Sequence, residues 1–96
     1  MDNIPPELRT TYAMLKAAFP SGLSEAEYIP VIHYLYEGMS DRQLAIVVSL
    51  LIGRKDYALT LNDIYRVQNL DVSMKVNEEV HDKLIAQGYE QWLEEE

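Results

Sequence analysis

The chain has 96 residues, 48% hydrophobic and 25% charged, which is the size and composition of one folded domain and excludes a disordered chain. Sixteen acidic and eight basic residues give a net charge of -8, which disfavours binding to the phosphates of nucleic acids. Cysteine is absent from the sequence, which excludes disulfides, thiol catalysis and thiolate metal sites.

The amino-terminal segment predicts a cytoplasmic protein and a first helix. Residues 1 to 12 lack the basic start and apolar run of a signal peptide, and no segment has the roughly 18 apolar residues of a membrane span. Pro6 suits the first position of a helix, and apolar residues then recur at helical spacing until Pro20. We therefore expect no membrane crossing, and a helix over about residues 6 to 18.

The second segment contains a proline inside a helical pattern. Ser24 and Glu27 have the spacing of a capping box, which predicts the start of a second helix. Pro30 removes a backbone hydrogen bond, so a kink or a fresh start is expected there, and Gly38 is the predicted left-handed stop. A buried strand over residues 29 to 36 competes with this interpretation, but the flanking caps favour a helix.

The third segment has the clearest helical pattern. Ser40 and Gln43 form a second capping-box pattern, and Asp41 lies in the first turn, where the helix dipole favours negative charge. The helix is predicted from Asp41 to about Ile52, and its residues from 44 to 52 are apolar on almost every side, which is typical of a helix enclosed by others. This helix is the predicted centre of the fold.

The remaining elements are shorter. Residues 54 to 59 form a predicted polar loop, after which Thr60 is the expected cap of a fourth helix that ends near Leu70. The last helix is expected over residues 76 to 87, with Gly88 as its stop.

The sequence therefore predicts an all-α fold in a single domain over residues 1 to 89. We expect a compact bundle of about five short helices around the central apolar helix at about 41 to 52. Residues 90 to 96 are rich in glutamate and are expected to form an acidic carboxy-terminal tail.

Three turn and packing motifs occur in an order that resembles a known family. They are Phe-Pro-Ser-Gly at residues 19 to 22, Glu-Tyr-Ile-Pro-Val-Ile at 27 to 32 and Leu-Ile-Ala-Gln-Gly-Tyr at 84 to 89. The chain resembles the mostly actinobacterial helical proteins of domain of unknown function family 3349. The resemblance implies a compact five-helix domain and carries no enzymatic activity, cofactor or site residue. Tyr89 stands where the family usually has tryptophan, and the tail over residues 90 to 96 is particular to this chain.

Catalytic and metal-binding patterns are absent from the sequence. His33 and His81 are the only histidines; they lie in separate predicted helices and could meet, but zinc would need one or two further ligands that the pattern does not place. No nucleotide-binding, metalloprotease, hydrolase or calcium-loop motif occurs. The sequence therefore predicts a protein that is not an enzyme and has no metal or cofactor.

The aromatic residues suggest a role in recognition, because tyrosine and tryptophan favour the centres of contact surfaces. Residues 34 and 36 lie about 200 degrees apart on a helix, so both tyrosines cannot face one core. A scattered exposed tyrosine, or a tryptophan that folds back onto the core, is the simpler explanation. The candidate surface for a protein partner or self-association consists of Tyr28, Tyr34, Tyr36, Tyr89 and Trp92.

A DNA-associated regulator is the alternative function. The third and fourth predicted helices could form a helix-turn-helix element with residues 61 to 70 as the reading helix. However, Arg66 is the only basic residue of that segment, and Asp63 and Asp71 accompany it. The charge pattern therefore favours a protein-interaction module over a nucleic-acid partner.

Overall fold

The computed structural model describes residues 4 to 94 apart from the side chain of Val72. A 3-10 turn at Pro6–Leu8 precedes seven helices in this part of the chain: α1 (Arg9–Ala18), α2 (Glu25–Leu35), α3 (Asp41–Ile52), α4 (Tyr57–Gln68), α5 (Val72–Lys75), α6 (Glu78–Ala86) and α7 (Tyr89–Glu94). No strand occurs among these residues, so the all-α prediction is confirmed and the strand at 29 to 36 is wrong. Between residues 4 and 94, no helix has both the length and the apolar character needed to cross a membrane.

Helix α2 continues through Pro30, so the fresh start expected there does not occur. The capping box is present, with the backbone N–H of Ser24 donating to Oε1 of Glu27 at 2.9 Å. Pro30 has no N–H for the carbonyl of Ala26, and the side-chain amide of Asn77 donates to that carbonyl instead, at 3.4 Å. A residue 51 positions away in the chain thus satisfies the acceptor that the proline leaves free.

Gly38 does not have the left-handed backbone that we expected. Among the described glycines, only Gly22, Gly53 and Gly88 have positive φ, and Gly88 is the predicted stop between α6 and α7. Gly38 has a different reason to lack a side chain, because a Cβ atom there would lie 2.9 Å from Cζ3 of Trp92. This glycine allows the indole to approach the backbone that follows α2.

Helix α3 has the predicted bounds and lies at the centre of the fold. It packs against α1, α2 and α4, and Gly53 ends it in the left-handed conformation with φ of 75°. Its buried residues are Leu44, Ala45, Val47, Val48, Ser49 and Leu51. The amino end is capped by Ser40, whose Oγ accepts a hydrogen bond from the backbone N–H of Gln43 at 3.2 Å.

Replacement of Ser40 by alanine should lower the free energy of unfolding by about 1 kcal/mol, because the N–H of Gln43 loses its acceptor at the start of α3. Urea titration followed by circular dichroism measures this change. Ser21→Ala, at an exposed position between α1 and α2, is the matched control and should leave the midpoint unchanged. Equal midpoints for both variants would contradict a capping role for Ser40.

Helix α4 begins one turn earlier than we expected, so Thr60 is not its cap. The cap is Asp56, whose Oδ1 accepts a hydrogen bond from the backbone N–H of Ala58 at 2.9 Å. Thr60 is instead fully buried, and its Oγ1 lies 2.7 Å from Oγ of Ser49 on α3. The two buried hydroxyls are hydrogen-bonded to each other at the contact between α3 and α4. Thr60 therefore stabilises this contact and does not cap α4.

The carboxy-terminal part differs most from the expected elements. Helix α6 begins after Asn77, whose Oδ1 accepts hydrogen bonds from the N–H groups of Glu79 and Val80, so Val76 lies outside the helix and is exposed. Helix α7 covers the first residues of the expected tail, and Trp92 within it is buried. The described part of that tail therefore packs with the rest of the domain.

Candidate functional site

The five side chains proposed from the sequence lie in two separate places. Three of them, Tyr34, Tyr89 and Trp92, lie close together and next to His33 and His81. We call these three residues and the two histidines the aromatic cluster. The ring centroid of Tyr34 is 5.2 Å from that of His33 and 5.3 Å from that of His81, while Tyr89 stacks on Trp92 at 6.0 Å.

Tyr36 borders the aromatic cluster through His33, at 6.1 Å between ring centroids. Tyr28 is elsewhere, beside Arg54 and Asp63. The structure thus does not bring the five proposed residues into one surface.

Hydrogen bonds connect the aromatic cluster to the surrounding helices. The indole Nε1 of Trp92 donates to Oγ1 of Thr11 on α1 at 2.7 Å, and the hydroxyl of Tyr89 donates to the backbone carbonyl of Tyr34. The hydroxyl of Tyr34 accepts from the backbone N–H of Asn77 at 3.2 Å. Tyr89 and Trp92 are only 8% and 9% exposed. These contacts hold α6 and α7 against α1 and α2, so the cluster has a structural role.

His33 is the one member of the aromatic cluster with an unusual polar atom. Its Nδ1 is buried and has no hydrogen-bond partner among the described residues. Burial and then the positive charge of Lys75 lower the pKa of His33, and the carboxylate of Glu37 opposes this only in part. No group of three or more carboxylates and histidines suited to a metal occurs between residues 4 and 94. Burial and the nearby charge of Lys75 therefore favour the neutral imidazole of His33.

The lowered pKa of His33 predicts a loss of stability in mild acid. Between the folded-state pKa and the usual value of 6.5, the unfolded chain binds more protons than the folded chain, so the free energy of unfolding falls as the pH falls through this window. His33→Gln should flatten the decrease below pH 6.5, because the side-chain amide of glutamine does not titrate there. Urea titrations across this range test the prediction, and an unchanged slope in His33→Gln would contradict it.

Tyr28 belongs to a polar network that joins α2 to α4. Its hydroxyl donates to Oδ2 of Asp63 at 2.7 Å, and Nη2 of Arg66 donates to Oδ1 at 2.6 Å. Nη1 of Arg54 lies 3.4 Å from Oδ2 and donates to Oγ1 of Thr60 at 3.1 Å. Both oxygens of Asp63 are therefore engaged, and the network fixes the spacing of the two helices.

The charge state of Asp63 follows from these contacts. Burial alone would raise its pKa, but the hydrogen bonds from Tyr28, Arg66 and Arg54 favour the carboxylate, and the pKa lies below its usual value. The pKa of Tyr28 is raised by burial and by its hydrogen bond to Asp63. At neutral pH the network therefore holds one carboxylate, two guanidinium groups and an undissociated phenol.

An apolar groove lies on both sides of Tyr28 and Ile29, and we call it the Tyr28 groove. One depression, of about 370 Å³, faces the loop before α2 and the end of α3. The other, of about 310 Å³, lies between α2, α4 and α5. The apolar lining residues of the two depressions are Leu23, Tyr28, Ile29, Ile52, Val67, Leu70 and Met74.

Several residues of the Tyr28 groove were not identified from the sequence. Leu70 marked only the end of a helix, and Met74 lay in what we expected to be a connection. Met74 is 60% exposed and forms part of the wall on α5. A large apolar residue within an expected surface loop is the signal that could have indicated this wall.

No match emerges when the chain is compared with protein-family models, with curated proteins or with solved structures. The resemblance to the helical family of unknown function stays a prediction.

Proposed function

We propose that the chain is a noncatalytic protein-interaction module and that the Tyr28 groove is its contact surface. The observation that carries this proposal is that two largely apolar depressions share Tyr28 and Ile29 as lining residues, with the largely exposed Met74 in the wall of one of them. Contiguous exposed apolar surface on a small protein is typical of a binding site.

Hydrogen bonds and ion pairs fix the walls of the Tyr28 groove in the unbound protein. Asp63 ties Tyr28 on α2 to Arg66 on α4, and Arg54 joins the same carboxylate from the α3–α4 loop. A preformed groove loses less conformational entropy when it binds than a groove that must first become ordered. This rigidity supports binding through shape and apolar contact.

Asp63, in the ionised network next to the groove, is poorly suited to act as a general base. A general base at neutral pH needs a pKa near neutrality and an oxygen free to accept a proton from substrate. Asp63 has a lowered pKa, and both of its oxygens already accept hydrogen bonds. This supports a binding role for the surface.

Site-specific photo-crosslinking tests the proposal. A benzophenone side chain at position 74, in the groove wall, should capture one protein in cells that produce this chain. The same group at position 59 is the matched control, because Leu59 is 54% exposed and does not line the groove. Capture at position 59 but not at 74, or the same products at both, would contradict the proposal.

Titration with duplex DNA at low salt separates the proposal from the DNA-associated alternative. Phosphate contacts are strongest at low salt, so a regulator that binds DNA should have its highest affinity for DNA under this condition. We expect no binding, because Arg66 already pairs with Asp63 and the chain carries a net charge of -8. Binding that is lost in Arg66→Ala would favour the alternative function.

A further inference from the structure

We infer that α5 is a detachable wall of the Tyr28 groove and that protonation of His33 releases it from α2. This release is a property of the chain alone, and its effect on a partner rests on the proposed function. Two buried groups at the contact between α2 and α5 support it. One is Nδ1 of His33, which has no hydrogen-bond partner among the described residues, and the other is Lys75, which is 6% exposed.

Helix α5 has only four residues and packs against α2. The segment that follows it is bonded beside His33, because the backbone N–H of Asn77 donates to the hydroxyl of Tyr34 at 3.2 Å. The ring of Tyr34 in turn lies 5.2 Å from the imidazole. So short a helix is not stable by itself, so α5 depends on this contact. Met74, on α5, forms part of the groove wall, so the wall depends on the same contact.

Lys75 places a positive charge in the contact between α5 and α2. It is almost fully buried and forms no salt bridge within residues 4 to 94. Lysine is rarely buried without a partner, because its ammonium group then loses hydration. The contact therefore holds one unpaired cation, and the neutral imidazole of His33 adds no second one.

A proton on His33 disturbs this contact in two ways. The imidazolium must donate from both ring nitrogens, but Nδ1 is buried without an acceptor. It also adds a second positive charge beside Lys75. Both costs are relieved when α5 leaves and water reaches the imidazole. Because burial and the charge of Lys75 lower the pKa of His33 while α5 is docked, the released state binds the proton more tightly and gains population as the pH falls below 6.5.

Glu37 is the carboxylate that acts on His33, and it offsets these costs only in part. It is exposed to water, where charge interactions are weak, and it raises the pKa of His33 less than burial and Lys75 together lower it. Arg66 of α4 and Lys83 of α6 are paired with carboxylates. The other titratable side chains around the imidazole are Tyr34 and Tyr36 on α2, His81 on α6 and Tyr89 on α7.

Hydrogen exchange of the Met74 amide measures the release. Its N–H donates to the carbonyl of Asp71 at 3.0 Å, and this bond opens when α5 leaves α2 and unwinds. After correction for the intrinsic pH dependence of exchange, we expect protection to fall about fivefold or more between about pH 7.5 and about pH 5.5, the lower end of the usual coupling between two sites.

Urea separates the release of α5 from unfolding of the whole domain. Detachment of four residues exposes little surface, so low concentrations of urea should hardly change the exchange of the Met74 amide. The amide of Val48, in the buried centre of α3, should exchange far more slowly and respond strongly to urea. Equal protection and an equal urea response at the two amides would overturn the inference.

Substitutions assign the acid response to its two groups. His33→Gln should remove the response of the Met74 amide, because glutamine does not titrate in this range. Lys75→Met should reduce it, because the charge beside the imidazole is lost. Lys55→Met, at an exposed position between α3 and α4, makes the same change in net charge and should retain the full response. An unchanged response in His33→Gln, or equal responses in the two lysine variants, would overturn the inference.

Crosslinking at position 74 distinguishes this inference from the proposed function. If the Met74 amide responds to acid and a benzophenone at position 74 captures no protein, the release of α5 stands and the proposed function fails. If a protein is captured and the Met74 amide shows no acid response, the proposed function stands and the release of α5 is wrong.

Discussion

Replacement of Val47 by aspartate is expected to abolish the cooperative unfolding transition of the domain. Val47 is fully buried in the middle of α3, which packs against three other helices. An unpaired carboxylate at this position loses its hydration and gains no partner. The free-energy cost approaches the total stability of such a domain, which is roughly 5 to 15 kcal/mol. Thermal unfolding followed by circular dichroism should show no sigmoidal transition.

Ala58→Asp is the control for the Val47 experiment. Position 58 is exposed in the first turn of α4, where the helix dipole favours a negative charge. This variant adds the same charge to the chain and should retain a cooperative transition. A cooperative transition of similar midpoint in Val47→Asp would mean that α3 is not the centre of the fold.

Truncation of Trp92 to alanine is expected to lower the free energy of unfolding by about 3 to 5 kcal/mol. The indole packs against Gly38 and stacks on Tyr89, and it donates to the buried hydroxyl of Thr11. Its removal leaves a cavity and an unpaired hydroxyl between α1, α2 and α7. Chemical denaturation measures the change, and Leu93→Ala, at the more exposed neighbouring position, should cost much less.

The contact between Trp92 and Gly38 can be isolated by a double-mutant cycle. Gly38→Ala should destabilise the wild-type chain, because the added Cβ lies 2.9 Å from the indole. In the Trp92→Ala background the added Cβ still lies 3.3 Å from Cδ2 of Leu93 but no longer meets the indole, so the same substitution should cost less. Strictly additive free energies would show that Gly38 is required for another reason.

The helices that could be predicted from the sequence are those with local signals. Ser24 and Ser40 cap helices through hydrogen bonds to residues three positions later in the chain. The spacing of these residues in the sequence was therefore enough to predict where α2 and α3 begin. Gly88 likewise ends α6 through its own backbone conformation. Capping hydrogen bonds within three residues of each other depend little on the rest of the fold.

Features that depend on distant residues were interpreted wrongly. Pro30 is tolerated within α2 because Asn77 supplies a hydrogen bond, and Thr60 is buried because Ser49 faces it. Gly38 is required by Trp92, which lies 54 positions later in the chain. Such pairs depend on tertiary packing, which residue spacing alone does not reveal.

The sequence predicts the type of residue in the candidate site but not most of the residues that line it. Aromatic residues indicated a recognition surface, and one of the five proposed residues, Tyr28, lines both depressions of the groove. The burial of Trp92 in α7 confirms the simpler explanation, that this side chain folds back onto the core, so Tyr89 and Trp92 do not form a contact surface. The wall formed by Leu70 and Met74 depends on the helix α5, whose four residues are too few to show a helical period in the sequence.

We propose that a protein partner docks in the Tyr28 groove and that the aromatic cluster serves to hold the fold together. Titration of isotope-labelled protein with the protein captured at position 74, followed by backbone amide chemical shifts, tests this proposal most directly. We expect the largest changes at the segments that line the groove, which are residues 23 to 29, 52 to 54 and 63 to 74. Changes centred on α6 and α7, or spread evenly over the acidic surface, would contradict it.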